Sequence, residues 1–539
     1  LFPSCDNFTY RKYNGFVMQL GISKSVSKKQ KESALIMRKQ TKIAAVVSAA
    51  ALLALGASMT SFAASKGTWM MVDGEWYCYD KNGDAYTNVF CSSNGKEYYV
   101  GDDGQLVRSE WVDYDGSYYF VNSSGAKITN DWRLTTPYDD ESADEEWYYF
   151  KSNGKRAENE KITYKGKTYY FDTDGKMLTG WVTTGDGATS VNEATGYEKD
   201  HTFYCDETGA RVEGAWVKDT KPGTSDDDAD EDEYWYYLKK ATGKPATGKQ
   251  SNINGQIYLF NEEGQMQYGW VAEATDSDVK FLRLDEDDNE IAMEEATGKV
   301  YYCGDEDDGH AKKNKWMKTW LPDNTDEEED DKEWFWFDKN GKLYRASGSD
   351  ATVKAQKYKL EEGDLVYDGG SITGVEKKKV NSKDYWFRPD GVMLAEFYMI
   401  DDNMYYFGGS DDGSMKTGSQ SIKDNTGDTY KFYFYTKDTY GYKKGAGVVG
   451  NQSNKLYYYG MQIQADDYKY QIAEVNGKKF IVNSNGSIQH SNTEYKEDGD
   501  VLIDAKKASY DTTNKQYKYA TDVTSNVADI DLNDFVEGK

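Results

Sequence analysis

The sequence predicts an all-β chain, a solenoid of stacked β-hairpin repeats with acidic loop insertions. Aromatic doublets recur along it at a spacing of roughly 20 residues, the mark of a stacked array. Each doublet is followed by a glycine-containing turn. Apolar content is carried by rings: aromatics make up 15% of the 539 residues, with 46 tyrosines, while hydrophobic residues of every kind reach only 38%.

The doublets Trp76-Tyr77, Tyr98-Tyr99, Tyr118-Tyr119, Tyr148-Tyr149 and Tyr169-Tyr170 define the unit. The turns DKNG (80–83), GDDG (101–104), NSSG (122–125), KSNG (151–154) and DTDG (172–175) come next. The same pattern returns at 260–270, 337–343, 385–394, 405–418 and 480–488. Each unit reads as strand, turn, strand. Alternation along the aromatic run buries one face and leaves the other to solvent or the next hairpin. The glycine turn after the doublet is expected to supply the positive φ of a tight hairpin. A single hairpin cannot bury such a face, whereas stacked neighbours can.

Longer spacings come from acidic inserts at 139–146, 226–233, 285–295 and 323–333, expected to project from equivalent corners. The mature chain is therefore divided into repeats with inserts (65–340), degenerate repeats (341–384), further repeats (385–496) and a terminal cap or tail (497–539). Ahead of these, Met37 to Lys42 is a basic stretch and Ile43 to Leu55 an apolar one, followed by Ser61-Phe62-Ala63-Ala64. That order reads as a signal peptide over 37–64, with 1–36 as over-extended translation. The expectation is a secreted protein with no membrane span in its mature form. The end of the chain shows no apolar tail and no LPxTG-like motif. Attachment to a surface is then expected to be non-covalent and spread along the repeats.

Net charge is −28; beyond residue 64, 56 basic and 91 acidic residues leave −35. Such a chain repels nucleic acid and anionic membranes and tolerates cationic ligands. Cys78, Cys205 and Cys303 stand where other repeats place Tyr or Phe, so they read as small buried hydrophobes, while Cys91 shows no mate. His201, His310 and His490 are scattered, and no metal-spaced cluster, nucleophile elbow or phosphate loop occurs. The sequence implies no cofactor, no metal centre and no catalytic residue.

Trp147-Tyr148-Tyr149-Phe150, Thr179-Gly180-Trp181 and the run Asp174 to Gly180 resemble the cell-wall-binding repeat. That repeat is shared by choline-binding proteins, glucan-binding domains and clostridial toxin repetitive regions of Gram-positive bacteria. The resemblance covers about residues 68–490. It implies a choline-binding-type hairpin solenoid with aromatic ligand sites between successive hairpins. Carried over residue by residue, it implies three cages: Trp69, Trp76 and Tyr98; Trp132, Trp147 and Tyr169; Trp216, Trp235 and Tyr258. The partner it implies is choline-bearing teichoic acid or a polysaccharide of the cell wall, with host or bacterial surface glycans as further candidates. Two other readings stay open. One is a structural or adhesive rod whose aromatics are core only and whose acidic loops contact partners. The other is an enzyme with an unrecognised domain near 340–400.

Overall fold

The computed structural model describes residues 63–64, 67–186, 190–224, 232–275, 279–284, 296, 298–322, 331–350, 352–511, 513, 516–517 and 522–538. The expected leader lies outside them, except for Ala63 and Ala64. All strand pairs are antiparallel hairpins or their neighbours, and among the described residues there is no α-helix. None of the described residues forms a helix long and apolar enough to cross a membrane. The chain divides into two compact units, the first holding the hairpins from Gly67 to Phe171 and the second those from Ala215 onward.

In the first unit, Gly67–Val72 pairs with Glu75–Tyr79, and Val89–Ser93 with Lys96–Val100. Glu110–Tyr114 pairs with Ser117–Val121, Asp131–Thr135 with Glu146–Phe150, and Glu160–Tyr164 with Lys167–Phe171. Four of these hairpins close through two-residue turns that precede the doublet: Asp73-Gly74, Asn94-Gly95, Asp115-Gly116 and Lys165-Gly166. Both residues of each turn have positive φ, for example 51° and 91° at Asp73 and Gly74. That is the twist a right-handed hairpin demands.

The sequence reading of the other glycine turns is thereby corrected. DKNG, GDDG and NSSG are not hairpin tips but links to the next hairpin. In the first link only Gly83 has positive φ, its N–H reaches the Asp80 carbonyl at 3.2 Å, and the Asp80 carboxylate accepts from Asn82 N at 2.8 Å. A type I′ tip needs two left-handed residues, which these links do not have.

The links GDDG, NSSG, KSNG and DTDG each end by locking not onto the hairpin they follow but onto the one before it. The residue two positions after the link glycine donates its N–H to a carbonyl in that hairpin's second strand. Leu106 bonds Trp76 at 2.9 Å, Lys127 bonds Glu97 at 2.7 Å, Arg156 bonds Tyr118 at 2.8 Å and Met177 bonds Trp147 at 2.9 Å. Stability in such an array is mostly nearest-neighbour. The aromatic runs are consequently buried on both faces: Tyr148, Tyr149 and Phe150 expose 0%, 4% and 0% of their surface.

The first acidic insert replaces the two-residue tip with residues 136–145, while Glu146, which ends the acidic run in the sequence, pairs with Thr135 in the return strand. The segments 226–233 and 323–332 likewise fall between paired strands, with Glu333 already in the return strand, although most of their residues, and 285–295, lie outside those described.

In the second unit, Lys354–Glu361 and Asp364–Thr373 form a longer hairpin that pairs sideways with Phe397–Ile400. The end of the chain returns onto this unit, with Val536 beside Leu365 and Ile530 beside Ala473 in parallel bridges.

All four described cysteines are buried. Cys91, which shows no mate in the sequence, packs in one cluster with Cys78. Their thiols share a hydrogen bond that, with burial, pushes the Cys78 thiol up.

Candidate functional site: aromatic cages between hairpins

A cage is assembled from two hairpins and the link after the second. The first strand places a Trp. The residue two positions on stands directly opposite a second Trp from the return strand, so the two indoles lie diagonally on one face. Trp132 pairs across with Tyr149 and Leu134 with Trp147. The next hairpin adds a Tyr, and its link adds an apolar side chain beneath.

At Trp132 the geometry is explicit. Its ring centroid lies 6.4 Å from Trp147 at 83° and 4.8 Å from Tyr169 at 67°. Met177, Tyr164 and Phe171 complete the cluster. Trp132 is half-buried, whereas Trp147 is 43% exposed. The arrangement repeats at Trp216, 6.4 Å from Trp235 at 86° and 4.8 Å from Tyr258 at 62°. Met266 lies under that cage and bonds the Trp235 carbonyl at 2.8 Å. At Trp69 the Tyr98 ring is 5.7 Å away at 71°, and Trp76 packs on the same cluster with Leu106. The structure thus brings together each of the three groups picked out in the sequence.

A fourth group was missed. Trp316 lies 4.8 Å from Tyr385, and Trp334 and Met393 pack beside them. Met393 N bonds the Trp334 carbonyl at 2.9 Å, as Met266 does at Trp235. These residues line an open cavity of about 700 Å³, together with Asp411. The Trp316 and Trp334 spacing was the available signal, since it nearly matches that of Trp216 and Trp235. Tyr385 was hidden because the sideways hairpin at 354–373 separates the two stacked partners.

Other junctions share the framework but are filled. Trp111 lies 4.9 Å from Tyr148 and 5.6 Å from Phe150, and Tyr118 holds the position of the second Trp. The link residue there is Arg156. Its guanidinium carbon lies 4.4 Å from the Tyr118 ring, 5.7 Å from Trp111 and 6.0 Å from Tyr148. At the preceding junction Lys127 lies 4.9 Å from Phe90 and 5.3 Å from Tyr119. A ring face attracts a cation at such distances.

Among the described residues no group of three or more His, Cys, Asp or Glu side chains could hold a metal ion.

Paired hairpins, interlocking links and recurrent three-ring junctions define a repeat protein of the aromatic-hairpin class. Residues 141–179 match the family model described as the choline-binding repeat. The chain is 31% identical to Glucosyltransferase-S of Streptococcus mutans serotype c over 200 residues, which is 37% of this chain and 11% of that protein. It is 26% identical to Glucosyltransferase-I of Streptococcus downei over 464 residues, 77% of this chain and 26% of that protein. The chain therefore spans about a tenth and a quarter of the length of these two relatives. Among solved structures, choline binding protein F of Streptococcus pneumoniae is similar at 18% identity and a TM-score of 0.31, covering 70% of this chain and 98% of that one.

Proposed function

We propose that this chain is a secreted, non-catalytic binding protein that attaches to the bacterial cell wall without a covalent bond. It holds organic cations, such as the quaternary ammonium of choline-bearing teichoic acid, in its aromatic cages. Sites are assigned to Trp69, Trp76 and Tyr98; to Trp132, Trp147 and Tyr169; to Trp216, Trp235 and Tyr258; and to Trp316, Trp334 and Tyr385. The observation that carries this reading is Arg156. The Trp111 junction has the same ring framework, and the chain itself supplies a cation to its three rings. Where the link residue is Leu or Met, the link itself brings no cation to the rings; at Trp235 the neighbouring Lys218 Nζ lies 5.7 Å from the ring and is bonded to Asp307. Each good contact with a quaternary ammonium is worth roughly 0.5–2 kcal/mol. Net charge of −28 favours cationic ligands as well.

The test is retention on a quaternary-amine resin. The protein is expected to stay bound in high salt and to leave with free choline. Release by salt alone means that only charge was holding it, and the cage reading is then lost.

A second reading follows from the resemblance to two glucosyltransferases. The exposed Trp147 and Tyr138 faces could stack on sugar rings of a surface polysaccharide. Elution by soluble glucan, with choline inert, selects it.

A further inference from the structure

The four cages are of two kinds. The lip residue opposite the second Trp is Met71 or Leu134 in the first pair. In the second pair it is Lys218 or Lys318. In that second pair alone, the described residues also include a carboxylate bound to the second Trp. Asp307 accepts from Trp235 Nε1 at 3.0 Å and from Lys218 Nζ at 3.3 Å. Asp411 accepts from Trp334 Nε1 at 3.0 Å and from Lys318 Nζ at 2.9 Å. Both aspartates stand two residues before the glycine of a link, Gly309 or Gly413, that packs against the cage methionine, Met266 or Met393. The same device is thus built twice, on two separate hairpin sets.

In both cases the two bonds fall on Oδ1, and among the described residues Oδ2 accepts none. Asp411 lines the open cavity with Trp316, Trp334 and Tyr385. The indole and ammonium donors hold both carboxyls below the usual carboxylate range, so they are ionised at neutral pH. A ring face attracts any ammonium ion. A carboxylate oxygen with a spare lone pair adds a directional bond only to an ammonium that carries an N–H.

We propose that Asp307 and Asp411 make the Trp216 and Trp316 cages a separate class of site, selective for protonated amines that retain an N–H over quaternary ammonium ions. The Trp69 and Trp132 cages lack this preference. The inference rests on the reading of the cages as organic-cation sites. Asp307 and Asp411 are also positioning residues, because each fixes the indole ring that forms a cage wall.

The full chain is titrated with choline and with protonated 2-(dimethylamino)ethanol, which differ by one methyl group. Tryptophan fluorescence and calorimetry follow the binding. A class of two sites is expected to favour the tertiary amine by about tenfold, the scale of one hydrogen bond to a charged group. In the double variant Asp307→Asn, Asp411→Asn this preference should vanish while choline still binds. Both positions are exposed turn residues, and Asn keeps an oxygen for the indole N–H. The pair Lys218→Met, Lys318→Leu takes its lips from the other cages and is expected to raise the preference. Binding of both amines with a ratio that neither variant moves overturns this inference alone. A wild-type chain that binds neither amine overturns it together with the reading beneath it.

Discussion

The Trp111 and Trp132 junctions adjoin in the chain and have almost the same frame. In each, a first-strand Trp meets a Tyr of the next hairpin at 4.9 or 4.8 Å and a Phe two residues further on at 5.6 or 5.7 Å. Two of the side chains that differ govern access. Tyr118 is replaced by Trp147, and Arg156 by Met177. The first junction is closed by its own cation; the second presents an exposed indole and a thioether. The difference teaches that the fold needs the frame, and that ligand access is set separately by the link residue. Aromatics therefore divide into those that hold hairpins together and those that form cage walls, sometimes at adjacent positions of one strand.

The sharpest way to break this division is to compare neighbours. Phe150 is fully buried and Trp147 is 43% exposed, only three residues away on the same strand. Phe150→Ala is expected to cost about 3–5 kcal/mol, the usual price of a large core aromatic. Trp147→Ala should leave the unfolding midpoint nearly unchanged and weaken choline binding at that cage. Denaturant unfolding and choline titration of both variants test the pair. Equal destabilisation would make Trp147 a core residue and remove the Trp132 cage.

Trp334→Ala probes the missed site with a smaller effect. Losing one ring wall should weaken an organic cation by roughly 0.5–2 kcal/mol, about two- to thirtyfold. Trp336, two positions along the same strand and on the same face, is only 8% exposed and pairs across with Trp316. Trp336→Ala should instead act first on stability, and thermal unfolding beside calorimetry separates the two.

Much of this was legible in the sequence, for physical reasons. The Trp pairs could be found because both belong to one hairpin, and its register is fixed by alternation and by the tip. The link residues were not legible. Arg156 takes its meaning from rings on three strands, Trp111, Tyr118 and Tyr148, which only stacking brings to one place. Asp307 and Asp411 were still further out of reach, at 72 and 77 residues from the indoles they bind. Glycine turns were visible, but their order was misread because Asp73-Gly74 and DKNG carry the same residue types. The number of successive left-handed residues distinguishes them, and composition does not report it.

The comparison also predicts that a closed junction can be opened. Arg156→Met gives the Trp111 frame the link residue of the Trp132 cage. Arg156 is 8% exposed and also pairs with Glu158 at 2.9 Å. Losing its cation–π contacts should cost about 0.5–2 kcal/mol. Choline added to this variant should recover part of that loss, because a ligand that binds only the folded state stabilises it. The readout is the choline-dependent rise in melting temperature, which should exceed that of the wild-type chain by a small margin. An equal rise in both would mean that Arg156 does not occupy a cation site.

The smallest effect on ligand binding is expected at the acidic insert. The 136–145 segment replaces a two-residue tip, and the strands beside it pair in the same register as in the other hairpins. Lengthening a flexible loop costs little, about 0.6 kcal/mol for each doubling. Replacing 136–145 by Asn-Gly should therefore stabilise the hairpin by only about 1–2 kcal/mol. It also removes Tyr138, whose ring lies 4.8 Å from Tyr118. If choline affinity at the Trp132 cage stays the same, the insert is no part of that wall. A loss of binding with the fold intact would instead assign the insert to the cage, and would make loop length a second determinant of access beside the link residue.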